Sequence, residues 1–117
     1  MTPPPPRLAL EPSFKRLCAT LPATIGIAVA APGRAEVFSL GRWSGGVAWS
    51  TIKVPLALAA LRSDQPLAQK LAVKAITESD NPASERLWSL LGEPADAAQR
   101  VQAVIRESGD AVWPVGR

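Results

Sequence analysis

Ser50-Thr51-Ile52-Lys53-Val54-Pro55-Leu56-Ala57-Leu58-Ala59-Ala60-Leu61-Arg62 occupies the middle of the chain, and the reading of the fold turns on it. From Thr51 to Arg62 the stretch is rich in Ala and Leu, the residues that enter helices at least cost. Pro55 fits an early-turn position and adds nothing chemical. The spacing therefore predicts a helix over Thr51–Arg62 with Ser50 at its start. Ser50 and Lys53 stand three residues apart on one face of that helix, with Cβ atoms roughly 5–6 Å apart. An amine at that distance reaches the hydroxyl, and a neutral amine can take its proton. The helix N-terminus adds a positive field and free N–H groups, so the Ser50 amide is a candidate oxyanion donor.

Upstream of this helix, Gly41, Gly45 and Gly46 mark a loop leading to Ser50. Before it, Ala23–Ala31 reads as a strand with small apolar residues on both faces, the pattern of a central strand. Pro32-Gly33 is a turn, and Glu36–Leu40 a second strand pairing back on the first. Leu10, Phe14, Leu17, Cys18 and Leu21 recur at helical spacing until Pro22 stops the run. Thr2–Pro6 is expected as a loose polyproline arm, so residues 1–9 are set apart as a flexible Pro-rich segment.

Downstream, the pattern is helical. Ser63-Asp64-Gln65-Pro66 closes the central helix, and Leu67–Thr77 carries Leu67, Leu71 and Ile76 at compatible spacing. Pro82–Leu91 follows, with Gly92 as its C-terminal cap. Asp96–Glu107 puts Ala97, Val101, Val104 and Ile105 on one face and ends at Gly109. The chain reads as α+β: one helix, two antiparallel strands, then a run of helices.

Composition narrows the chemistry. The 117 residues suit one domain rather than two. A content of 47% hydrophobic and 20% charged residues is that of an ordinary globular protein. A net charge of +3 from scattered basic residues does not suggest a nucleic-acid surface. Cys18 is the single cysteine, so an internal disulfide is excluded, and it is expected to pack on an apolar helix face. The chain has no histidine, which removes Ser-His-Asp and Cys-His catalysis and leaves little for a zinc site. A serine nucleophile here needs another base, and lysine is the main alternative. No metal or cofactor is expected. No apolar run approaches the ~20 residues of a membrane span. Leu21–Ala31 follows Lys15 and Arg16 as a signal-peptide core would. Glu11 and the long proline-rich start do not fit that pattern, and a cytoplasmic chain is expected.

The second chemical motif is Ser79-Asp80-Asn81. Ser-x-x-Lys alone is weakly specific: nine serines and four lysines give a chance match about a third of the time. Asn81 is the only asparagine, so a random Ser-Asp-Asn has odds of roughly 0.3%. Both motifs also have a plain structural reading, because Ser, Asp and Asn are the preferred helix caps and Asn81-Pro82 suits a helix start.

Together, and in this order, Ser50-Thr51-Ile52-Lys53 and Ser79-Asp80-Asn81 resemble the class A β-lactamase and penicillin-binding-protein superfamily. The specific match runs from about Ser50 to Leu91, with a weaker likeness in the strand pair before it and the helix after it. The resemblance implies a β-lactamase/transpeptidase-like fold, of which the chain holds the helical lobe (50–117) and the first helix and strand pair (10–49). It implies that Ser50 is acylated, that Lys53 activates it, and that Ser79 passes a proton toward the leaving nitrogen. Asn81 would bind the substrate's amide, and Asp80 would be structural, holding the loop. The substrate would be a β-lactam or a peptide-like small molecule, and proteins of this family are usually exported.

Three departures accompany the likeness. The Ser50–Ser79 interval is shorter than in typical class A enzymes. No Lys-Thr-Gly follows on a later strand. No glutamate stands in an obvious deacylating loop, since Glu85, Glu93 and Glu107 fall in or beside expected helices. A second chain supplying the missing strands is one expectation, and a fragment of a longer product the other. Two further readings stay open: a non-catalytic binding module with this helical lobe, and a small α+β protein whose motifs are only helix caps.

Overall fold

Proline sets where the first helix begins. In a computed structural model that describes residues 6–63 and 65–110, α1 spans Pro6–Ala19. A proline at the first helical position loses nothing, since its N–H would have no intrahelical partner. The expected arm over residues 1–9 is corrected accordingly: residues 6–9 are the first turn of α1, and residues 1–5 lie outside those described. Pro12 stands inside the helix and leaves the carbonyl of residue 8 without its usual partner.

β1 (Gly26–Ala30) and β2 (Val37–Gly41) form an antiparallel pair with Gly26 opposite Gly41 and Ala30 opposite Val37. The bond from Arg34 N–H to Ala31 C=O, 3.1 Å, closes a turn with Pro32 and Gly33 at its centre. Gly33 has φ +76°, the left-handed value that the second central residue of such a turn requires. The expected Pro32-Gly33 hairpin is present. The expected central strand is not: among the described residues β1 has one neighbour, β2, and most of its residues are exposed. No other described segment is extended enough to cover its second edge.

The chain divides into two compact units, residues 1–47 and 48–117. In the first, Leu40 is the one buried hydrophobic residue among those described. Leu10, Leu17 and Leu21 are exposed, while Phe14 and Cys18 are half-buried and line a cleft with Ile25 and Leu40.

The second unit holds the core. A 3₁₀ turn, Trp49–Ile52, runs straight into α2 (Lys53–Arg62), followed by α3 (Ala68–Thr77), α4 (Asn81–Leu90) and α5 (Pro94–Glu107). α2 packs against each of the other three. Its Leu56, Ala59 and Ala60 meet Leu71, Ala75, Leu87, Trp88, Leu91 and Val101 in one cluster. The face expected for α5 is the one it buries, with Ala97, Val101 and Val104 inside and Ile105 packed at the margin. On α3 the expectation is corrected. Leu67 and Ile76 are exposed, and the buried face is Ala68, Leu71, Ala72 and Ala75. Alanines let helices approach closely, so here the small residues mark the contact better than the large ones do. α4 and α5 end on Gly92 and Gly109, both at positive φ, as their positions past the last turn predict.

Candidate active site

The two motifs meet at one amine. Lys53 begins α2 and is only 6% exposed, which makes it the one buried ionisable side chain among those described. A buried ammonium is costly unless its protons find acceptors. Its Nζ donates to Ser50 Oγ at 3.0 Å, Ser79 Oγ at 2.9 Å, the Ser79 carbonyl at 2.8 Å and Asn81 Oδ1 at 2.8 Å. Ser79 Oγ also lies 3.1 Å from Ser50 Oγ, so the two hydroxyls and the amine form a closed triangle. Four acceptors converge on a group with at most three protons, and all four are neutral oxygens.

Ser50 comes from the 3₁₀ turn rather than from the α-helix itself, a small correction to the expected helix start. The tighter winding keeps Ser50 and Lys53 three residues apart on nearly the same side, because 3₁₀ geometry eclipses i and i+3. Pro55 sits at the third position of α2, in the early turn expected for it.

Ser79 and Asn81 reach Lys53 because Asp80 holds the start of α4. Asp80 is the N-cap, and its Oδ2 accepts from the Ala83 N–H at 2.7 Å. Its carbonyl accepts from both the Ser84 N–H (3.1 Å) and the Ser84 hydroxyl (2.8 Å). The cap is thus Asp80 rather than Asn81, and Asn81 is the first helical residue. With the capping done by Asp80, the residues on either side turn to Lys53. The lysine bond fixes the Asn81 amide with its oxygen inward, which leaves its NH₂ to donate elsewhere. Four of the five residues singled out from sequence (Ser50, Lys53, Ser79 and Asn81) lie in this one network, and the fifth, Asp80, caps the helix that Asn81 begins.

Sequence reasoning missed the backbone. Trp49 and Ser79 are the only non-glycine residues at positive φ among those described, each at 52°. Such a conformation costs about 1–2 kcal/mol for a residue with a Cβ. At Ser79 it accompanies the presentation of both the carbonyl and the hydroxyl to one amine. Neither tryptophan nor serine is favoured in this region, so no local signal marks either position. Backbone strain of this kind gathers at functional sites.

Chemically, the triangle can relay a proton. A neutral Lys53 would take the Ser50 proton across 3.0 Å, and Ser79 Oγ, in contact with both partners, offers a way onward. Among the described residues no group of His, Cys, Asp and Glu is arranged to hold a metal ion. No helix among them is long and apolar enough to cross a membrane. No family model matches this chain, and neither does any curated protein or solved structure.

Proposed function

We propose that this chain carries the nucleophile and proton relay of a serine acyl-transferring hydrolase of β-lactamase or D,D-peptidase type. The observation that carries the reading is Lys53 Nζ within 3.0 Å of both Ser50 Oγ and Ser79 Oγ, with Asn81 Oδ1 completing the shell. Ser50 Oγ adds to the carbonyl carbon of an amide or lactam while its proton passes to the Lys53 amine. Lys53 returns a proton through Ser79 to the departing nitrogen as the C–N bond breaks, leaving an ester on Ser50. The Asn81 NH₂, left over by the bond from Lys53 to Oδ1, would donate to a substrate amide carbonyl. The resemblance of the two motifs to the β-lactamase and penicillin-binding-protein superfamily supports the same assignment, and with it a partial fold of that type.

A purely structural reading explains Asp80, which does cap α4. It does not explain why two hydroxyls and an asparagine amide converge on a buried lysine, when simpler contacts would satisfy a helix start. No carboxylate shares in the Ser50–Lys53–Ser79–Asn81 network, so deacylation has no evident general base there. The expected outcome is covalent labelling of Ser50 by a β-lactam or a fluorophosphonate, as a burst with little turnover. Intact-mass measurement on wild type and Ser50→Ala checks it. Equal labelling of the two proteins, or rapid steady hydrolysis by this chain, would sink the assignment.

A further inference from the structure

Charge is divided unevenly between the two units. Residues 1–47 hold five basic side chains (Arg7, Lys15, Arg16, Arg34 and Arg42) and two acidic ones (Glu11 and Glu36), whereas residues 48–117 hold eight of each. The net charge of +3 therefore belongs to the first unit. That unit also contains a cleft of about 370 Å³ whose described lining comes wholly from within it. Phe14 and Cys18 of α1 line the cleft with Ile25, just before β1, and Leu40 of β2. Three charged side chains, Glu11, Lys15 and Arg42, stand on its walls. Glu11 and Lys15 offset one another through a contact at 3.8 Å. Arg42 has no acidic partner among the described residues, so the cleft joins an apolar lining to one uncompensated guanidinium.

We infer that this cleft is a binding site for an amphipathic anion, and specifically for a free medium-chain fatty carboxylate. A volume near the lower end of the range for small-molecule sites suits one hydrocarbon chain rather than a two-chain lipid. The tail covers Phe14, Ile25 and Leu40, and the carboxylate meets the Arg42 guanidinium, whose planar fork matches two oxygens. Leu40, on the cleft, is the one buried hydrophobic residue described in this unit, so an apolar filler supplies burial that the chain itself does not. A ligand held only by the folded unit stabilises it by mass action. None of Ser50, Lys53, Ser79 and Asn81 lines the cleft, so the inference is independent of the acylation chemistry proposed above.

Cys18 supplies the reporter, because it is the single cysteine and lines the cleft half-buried. The test follows its alkylation by N-ethylmaleimide on the full chain, read by intact mass, with decanoate, with decan-1-ol and with neither. The thiolate adds across the maleimide double bond and the neighbouring ring carbon takes a proton from water, so each chain gains one reagent mass. The expected result is that decanoate, below the concentration at which it forms micelles, slows alkylation about fivefold or more. Arg42→Gln should raise the decanoate concentration needed for half-protection about tenfold, through loss of a charge-assisted contact. Arg42→Lys should recover part of that loss. Arg42 is exposed, so both variants should keep the unliganded alkylation rate of the wild type. Decan-1-ol should protect more weakly, and equally in wild type and Arg42→Gln. Equal protection by the alcohol and the carboxylate, or an unchanged half-protecting concentration in Arg42→Gln, overturns the inference. So does protection by phosphatidylglycerol vesicles without protection by decanoate. Faster alkylation in decanoate also overturns it, since the carboxylate would then be loosening the unit as a detergent does.

Discussion

Lys53 shows how one buried residue can order its surroundings. Its amine sits at the start of α2, and its four oxygen partners come from a 3₁₀ turn, a left-handed serine and the first residue of α4. Each contact alone is ordinary. Their convergence fixes the distance between two hydroxyls that are 29 residues apart in sequence. The strained backbone at Ser79 separates two contributions that mutation usually mixes. Ser79→Ala and Ser79→Gly both remove the hydroxyl and its bonds to Lys53 and Ser50. Only Ser79→Ala keeps a Cβ in the left-handed region. The glycine variant should be the more stable of the two by about 0.5–1 kcal/mol, after allowing for the greater freedom of glycine in the unfolded chain. Urea unfolding of the pair checks this, and an alanine variant at least as stable as the glycine one contradicts the assigned backbone conformation. Both should fail to relay the proton, so labelling of Ser50 should slow in each.

α2 and α5 are joined at one end by charge as well as by packing. Arg62 near the end of α2 forms a two-pronged contact with Glu107 at the end of α5, at 2.9 and 2.8 Å. The hydrogen bond from Arg62 holds the Glu107 carboxyl below its ordinary range. It outweighs an opposing desolvation effect, and the guanidinium's charge is a smaller third cause. For a carboxylate with a depressed folded-state value, the stabilisation is present at neutral pH. It is lost as pH falls through and below the ordinary carboxylate range. Both side chains are more than half exposed, so salt should weaken the pair. The expected outcome is that the melting temperatures of wild type and Glu107→Gln differ at neutral pH and low salt. They should converge on acidification, and also at high ionic strength. A difference that grows on acidification would show that the pair is not what joins these helix ends.

Across the whole molecule, burial is uneven. Residues 48–110 contain the continuous apolar cluster, with Leu56, Leu87, Leu91 and Val101 fully enclosed. The strand pair has Leu40 inside, while Ile27 and Val37 are exposed. β1 has one hydrogen-bonded neighbour among the described residues, and an isolated two-stranded sheet is marginally stable in water. An open apolar edge recruits further strands from other chains. Residues 1–117 on their own are therefore expected to sediment as species heavier than the 12.3 kDa monomer, or to precipitate, unless a second polypeptide supplies strands. A stable, compact monomer with a single cooperative unfolding transition would overturn this expectation.

The helices, the hairpin and the chemistry of the site are legible in the order of the residues because their causes are local. Pro32-Gly33 makes a turn wherever it stands, Gly92 and Gly109 stop helices, and Ser50 and Lys53 share a face through helical spacing alone. The pairing of Ser50–Lys53 with Ser79–Asn81 is suggested by the resemblance of the motifs and by their residue types, but no local rule places them in contact. What only the tertiary structure decides depends on contacts distant in sequence. The choice of the alanine face of α3 over Leu67 and Ile76 depends on how closely neighbouring helices approach. The left-handed turns at Trp49 and Ser79 run against the preferences of their own side chains. At Ser79, the bonds to Lys53 come from 26 residues away in the chain.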